Sequence, residues 1–189
     1  MEQRITNLEV KDFLVDFENN SETLVLEEGS KEKAELEKIA EARGYSIKGS
    51  RDLALFKTVY AFTDKPNKNG AILPKKELLK VLPQIVGKPI SVNHNREFVV
   101  GHYMDYKYIA KQHKIMVWGV FYKSNFSDLY KDAQKLFKSK KLSTSFEIWS
   151  NKNMQKQISA NTYELHQMEI AGGALLFDEE PAFEGADVL

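Results

Sequence analysis

The first residues alternate apolar and polar positions in places, at Leu8 and Val10 and again at Phe13, Val15 and Phe17. LVLEEG at 24–29 continues that pattern as a strand entering a turn. The period then changes. In SKEKAELEKIAEAR, 30–43, the apolar residues Ala34, Leu36, Ile39 and Ala40 form one narrow helical stripe. Ser30 is a candidate cap, Glu32 and Glu35 sit in the first turns, and Gly44 is a stop. So sparse a stripe predicts a helix that buries one edge and leaves the rest in water.

LALFKTVYAFTD, 53–64, is β-branched and aromatic and predicts a strand. DKPNKNGAILPK, 64–75, is rich in proline, asparagine and glycine and predicts a loop. KKELLKVLPQIVG, 75–87, sets Leu78, Leu79, Leu82 and Ile85 on one helical face, with Pro83 near its end. A short strand follows in GKPISVNH, and HYMDYKYIAKQHKIMVWGVFY predicts a hairpin turning at KQHK, with IMVWGVFY as a buried strand. A helix at 128–141, apolar at Leu129, Ala133, Leu136 and Phe137, ends in a basic cluster and runs straight into a strand, LSTSFEIWS, at 142–150. NKNMQKQISANTYELHQMEIAGGALL predicts a turn and one or two strands broken at Gly172-Gly173, where a bulge is expected, and DEEPAFEGADVL is a loop. Strands outnumber helices, so the expected fold is α+β, with a mostly antiparallel, barrel-like sheet and flanking helices.

The 189 residues suffice for one domain with a core, plus an appended arm. Lys+Arg and Asp+Glu balance at 27 each, without the basic excess that a nucleic-acid partner calls for. The absence of cysteine excludes disulfides, a thiolate nucleophile and cysteine-ligated zinc, and it fits a reducing compartment. No run is long and apolar enough for a membrane span, and MEQRITNLEV does not read as a secretory signal. The four histidines are scattered, with no HxxxH, HxH or HExxH spacing, and no phosphate-binding glycine motif occurs. No metal and no cofactor is expected.

Hydrolysis without cysteine or metal needs a hydroxyl nucleophile, a base that titrates near neutrality and a group to orient it. His113 lies in a charged turn, His102 at a strand start, and His166 in YELHQMEIAG. His94 is the best placed, because turn residues on both sides hold it at a strand end. In LSTSFEIW, strand alternation puts Ser143, Ser145 and Glu147 on one face and Thr144, Phe146 and Ile148 on the other. Each feature taken alone also has a structural reading: a packing histidine, or a strand start rich in hydroxyls.

Four segments, in order, resemble the prohead (capsid maturation) proteases of tailed phages, distant kin of the herpesvirus assemblins. NKNGAILPKKELLKVLPQIVGKPISVNHN resembles that family's loop, helix and histidine-bearing strand, and EFVVGHYMD the strand after it. The helix into KKLSTSFE resembles the lead to its nucleophile, and HQMEIAGGALLFDEEPAFEGA the strand of the third member with its closing tail. The resemblance spans roughly residues 53–187. It implies a herpesvirus-protease-like fold and a serine endopeptidase with His94 as base and Ser143 as nucleophile. The third member would be Glu169, with His166 as the alternative; Ser145 stands as rival nucleophile where many members have glycine. Oxyanion donors would be backbone N–H groups near Ser143, or Lys140 or Lys141 acting through water.

The resemblance further implies scaffold and major capsid proteins as substrates, the protease's own ends as another, and a place inside the procapsid in the host cytoplasm. It leaves a homo-oligomer open. A non-catalytic assembly protein on the same fold is the competing reading. Residues 1–50 match nothing in the family and are expected as an extension, a propeptide or docking arm, ahead of a protease domain at 51–189.

Overall fold

The structure is a computed structural model that describes residues 17–19, 24–25, 31–47, 50–67, 69–139 and 141–177. Eleven strands and three α-helices are assigned among them. In chain order these are β1 (Phe17–Asn19), β2 (Leu24–Val25), α1 (Lys31–Ala42), β3 (Leu53–Phe62), β4 (Ala71–Ile72), α2 (Lys75–Val81), β5 (Pro89–Val92), β6 (Asn95–Ile109), β7 (Lys114–Tyr122), α3 (Ser127–Lys138), β8 (Ser143–Trp149), β9 (Lys156–Ser159), β10 (Thr162–Glu164) and β11 (Glu169–Leu176). The Ser30 cap, Lys140 and the closing PAF tail lie outside the described residues.

The main sheet runs β1-β8-β11-β5-β6-β7-β3-β2, and β4-β10-β9 form a small second sheet. Every pairing in the main sheet is antiparallel except β11 with β5. The sheet curls until its far parts meet. The Thr58 hydroxyl of β3 lies 2.9 Å from that of Thr144 on β8. The fold is therefore α+β with a mostly antiparallel half-barrel, as the pattern of strands predicts.

Both faces of the sheet are covered, and β7 displays this most plainly. Ile115, Val117 and Phe121 enter the inner core with Phe56, Tyr60, Leu82, Ile85, Tyr103, Phe146 and Ile148. Met116, Trp118 and Val120 face the other way and pack with Leu55, Val59, Met104, Leu36 and Ala40. The last two come from α1, so its narrow stripe is the cover of the outer face. The predicted helix at 75–87 is α only to Val81 and continues as a 3-10 turn over Leu82–Ile85. Pro83 explains the change, since it has no N–H to donate back to the α-helical carbonyl four residues earlier. The predicted loop at 64–75 contributes β4, which pairs in parallel with β10.

On the outer face His102 links the segment that follows α1 to the sheet. Its Nε2 lies 2.6 Å from the Tyr45 hydroxyl and its Nδ1 2.9 Å from that of Tyr122. A neutral imidazole donates from one nitrogen and accepts at the other, so it can satisfy both phenols. Arg43 adds a salt bridge to Asp105 at 2.8 Å. Burial holds the His102 ring below the ordinary histidine range. Its stabilising contribution is complete above the unfolded value, about pH 6.5, and is lost as pH falls through the lowered folded value. Urea unfolding midpoints should drop between about pH 7.5 and pH 5, and they should drop less in His102→Gln if this ring carries the effect.

Candidate active site

The site is built from a strand whose two faces do different work. On β8, Phe146 and Ile148 are core residues, and Thr144 bonds across to Thr58. The alternate residues Ser143, Ser145 and Glu147 take the opposite face, in register with Leu176, Ala174 and Gly172 of β11. Ala174 is in turn level with Ser91 of β5. One row across three strands thus reads Ser145, Ala174, Ser91, with the small alanine keeping its middle low. A bulge between Ile170 and Gly172 shifts the register of β11, at the expected glycine pair.

The glycines answer to specific contacts. A Cβ on Gly172 would lie 2.6 Å from the Pro89 carbonyl oxygen and 3.5 Å from Glu147 Oε2. A Cβ on Gly173 would run into the Tyr103 hydroxyl beneath it and lie 2.8 Å from the Ser145 carbonyl oxygen. From the core side, the Tyr60 hydroxyl donates to the Gly172 carbonyl at 2.8 Å. Burial, first, and then Tyr103 and Glu147 raise the Tyr60 phenol above its ordinary value, so it remains a donor.

His94 sits in a two-residue turn joining β5 to β6. Asn93 and His94 have φ of 46° and 59°, the positive values that a type I′ hairpin turn demands at both central positions. Asn93 fixes the turn. Its N–H donates to the Leu175 carbonyl at 2.9 Å, and its side-chain oxygen accepts from the Phe177 N–H at 2.8 Å. Left-handed backbone at a non-glycine residue costs on the order of 1 kcal/mol or more and persists where surroundings impose it. Here the imposed geometry sends the ring back along the sheet, and His94 Nδ1 lies 3.2 Å from Glu147 Oε1.

Glu147 is 1% exposed. A carboxylate so far from water needs charged or donating partners. Arg96 Nε lies 3.5 Å from Oε2. The Arg96 guanidinium is itself held 4.6 Å over the Trp149 ring and reaches the Ala171 carbonyl at 3.5 Å. A carboxylate only accepts, so Nδ1 of a neutral His94 must carry the proton that it gives to Glu147. That leaves Nε2, shielded from solvent, with the lone pair a general base requires. Ser143 and Ser145 are 7% and 1% exposed, and neither Oγ has a hydrogen-bond partner among the described residues. A cleft of about 320 Å³, lined by Pro89, Ser91, Arg96, Val99, Glu147 and Gly173, opens beside them.

The residues read from the sequence therefore part company. His94, Ser143 and Ser145 belong to one face of the site. Glu169, expected as the carboxylate of His94, is 63% exposed and pairs with Lys88 at 3.8 Å. It is level with Trp149 and lies six positions along β11 from Leu175, where the His94 turn is anchored, about 20 Å at strand rise. His166, the alternative, lies 3.2 Å from Glu164 instead. The carboxylate at His94 is Glu147. His113 is in a left-handed turn near Asp64, and His102 is on the outer face. Lys141 is exposed, and its N–H caps α3 through the Leu136 carbonyl. Arg96 and Ser91 were not singled out from the sequence; the alternation in STSFE and the arginine two residues past His94 were the available signals. Among the described residues, no three His, Asp or Glu side chains cluster as a metal site would require, and no helix is long and apolar enough to cross a membrane.

No family model and no curated protein sequence matches the chain. Solved structures do. The bacteriophage T4 capsid assembly protease gp21 superimposes with a TM-score of 0.52 at 9% identity, over 67% of this chain and 83% of that one. The chain shares the fold of a phage capsid assembly protease. At that identity the likeness speaks for the architecture; the chemistry rests on the residues described above.

The floor of this site predicts a coupled packing effect. Gly173→Ala should destabilise the chain by about 1–3 kcal/mol through overpacking against Tyr103. In a Tyr103→Phe background the same change should cost less, since the hydroxyl that the new methyl meets is gone. A double-mutant cycle by urea denaturation measures the difference.

Proposed function

We propose that this chain is a serine endopeptidase that acts on scaffold or capsid proteins during assembly of a phage head. The observation that carries it is the His94–Glu147 pair, set on the same sheet face as two buried serine hydroxyls without partners. A half-barrel shared with a capsid assembly protease supports the setting and the substrate class. Soluble, extended segments of those assembly proteins, and the chain's own ends, are the substrates in this reading.

His94 Nε2 takes the proton of the attacking hydroxyl, and the Oγ forms a bond to the peptide carbonyl carbon. The tetrahedral intermediate then collapses, and His94 returns the proton to the departing amine. Water repeats the sequence on the acyl-enzyme. Glu147 orients the imidazole and offsets its charge when it is protonated. Arg96 is a positioning residue, which holds the second oxygen of Glu147. Ser143 is the nucleophile in this reading, because the resemblance to prohead proteases falls on it. Ser145 remains the rival: it is one alternate step from Glu147, about 7 Å, where Ser143 is two.

A mass-spectrometric time course with the phage's scaffold and capsid proteins tests the reading. Ser143→Ala and His94→Ala should abolish cleavage, Ser145→Ala should retain it, and Glu147→Gln should reduce it by up to about 10⁴-fold. Loss in Ser145→Ala with retention in Ser143→Ala moves the nucleophile by two residues and keeps the mechanism. Cleavage that survives all of these changes overturns the site, and a wild-type chain that never cleaves favours a non-catalytic assembly protein. Cleavage should also fall on the acid side as His94 becomes protonated, because an imidazolium has no lone pair with which to accept the serine proton.

A further inference from the structure

The strand that carries the candidate serines has two neighbours. One is β11. The other is β1, three residues of the N-terminal arm, in the register Phe17 with Phe146, Glu18 with Ser145 and Asn19 with Thr144. Without β1 that side of β8 is a sheet edge, a row of unpaired N–H and C=O groups that templates the addition of an extended chain. Across the seam β3 meets β8 through the Thr58 and Thr144 side chains, and no backbone ladder joins the two strands. Toward Trp149, β8 has no backbone partner on that side among the described residues.

Two further observations point to displacement. First, both serine hydroxyls are buried, and neither serine lines the cleft that reaches Ser91 and Glu147. A peptide bond must touch a nucleophile, so some covering segment has to move. Second, the segments differ in how well they are held. The β3–β7 ladder pairs nine residues, whereas β1 pairs three and β2 two. The shortest ladders open at the lowest free energy.

We propose that the outer edge of β8 is the seat of an extended polypeptide, and that residues 17–19 fill it in the resting chain as an internal competitor. The identity of the incoming chain, a peptidase substrate, rests on the function proposed above; the competition for the edge does not. An arm that fills the edge nine-tenths of the time raises the apparent Kd of an incoming strand about tenfold.

The test uses full-length protein with Glu18→Pro and Asn19→Pro together, which removes two backbone donors from the arm, and a fluorescein-labelled synthetic peptide spanning residues 11–22. By anisotropy the peptide should bind the double variant about tenfold more tightly than wild type, and hydrolysis of casein should rise by a similar factor. Equal binding to both proteins, or binding to neither, overturns the proposal. Should the variant unfold, hydrogen exchange on the full chain carrying Ser143→Ala and Ser145→Ala replaces it. Excess peptide should then speed exchange at residues 17–19 while β8 stays protected, and unchanged protection at 17–19 overturns the proposal. Preferential binding without hydrolysis keeps the edge and removes the peptidase. Hydrolysis at equal rates without preferential binding keeps the peptidase and removes the edge.

Discussion

A carboxylate withdrawn from water inside a protein wall constrains everything near it. Glu147 is that group here. Leaving it unpaired would cost several kcal/mol, so its surroundings must supply positive charge or donors. The histidine turn and the arginine that follows it do so from one hairpin, β5 to β6, two strands away across β11. The intervening strand must then be low. Gly172 and Ala174 make it so, and the clashes that a Cβ at 172 would meet explain why nothing larger stands there. The bulge in β11, the left-handed turn at Asn93-His94 and the stacking of Arg96 on Trp149 are consequences of bringing one carboxylate and its partners together.

The same sheet could not hold that row in place if it were thin. The inner core braces β8 and β11 from below through Tyr60 and Tyr103, whose hydroxyls stay protonated because burial, first, and the nearby carboxylate disfavour their anions. The outer face is closed by α1, which buries Leu36 and Ala40 against Met104, Met116 and Trp118. Truncating a side chain packed as Leu36 is typically costs about 2–5 kcal/mol. α1 is thus part of what closes the sheet, although the sequence of residues 1–50 resembles nothing in the prohead proteases.

The architecture was largely legible in the sequence, because two-residue and 3.6-residue periods survive in single segments. β8 alternates and α1 has its stripe, while β7 is legible as a short continuous apolar run, as a strand buried on both faces should be. The site was legible where its signals were local. Turn residues around His94 announced a held side chain, and the alternation in STSFE put both serines and Glu147 on one face. The pairing of His94 with Glu147 was not legible, because it joins residues 53 apart and strand alternation says only which face a residue takes. Glu169 is expected there because a carboxylate offsets imidazolium charge directly; in three dimensions it is level with Trp149, not Glu147, and turned to Lys88. The 3-10 turn after Val81 and the short β4 depend on a proline's missing donor and on a partner strand more than 90 residues later, as with Tyr163 opposite Ala71.

The burial of the two serines is the remaining tension. A hydroxyl without a hydrogen-bond partner, withdrawn from solvent, costs about 1–3 kcal/mol, and β8 carries two. Packing does not require them, since alanine would fill the same row without the penalty. The mechanism proposed above needs one of these hydroxyls to donate to the His94 imidazole, and neither does so among the described residues, so the two groups must approach before attack. In the proposed mechanism Glu147 orients His94 and Arg96 compensates the carboxylate, and the participant still to be supplied is the chain to be cut. In a half-barrel whose serine strand is flanked by a three-residue ladder, access is a matter of strand exchange at an edge. That arrangement ties the serine row to the arm by geometry: the arm runs alongside the one strand in which both candidate nucleophiles are set.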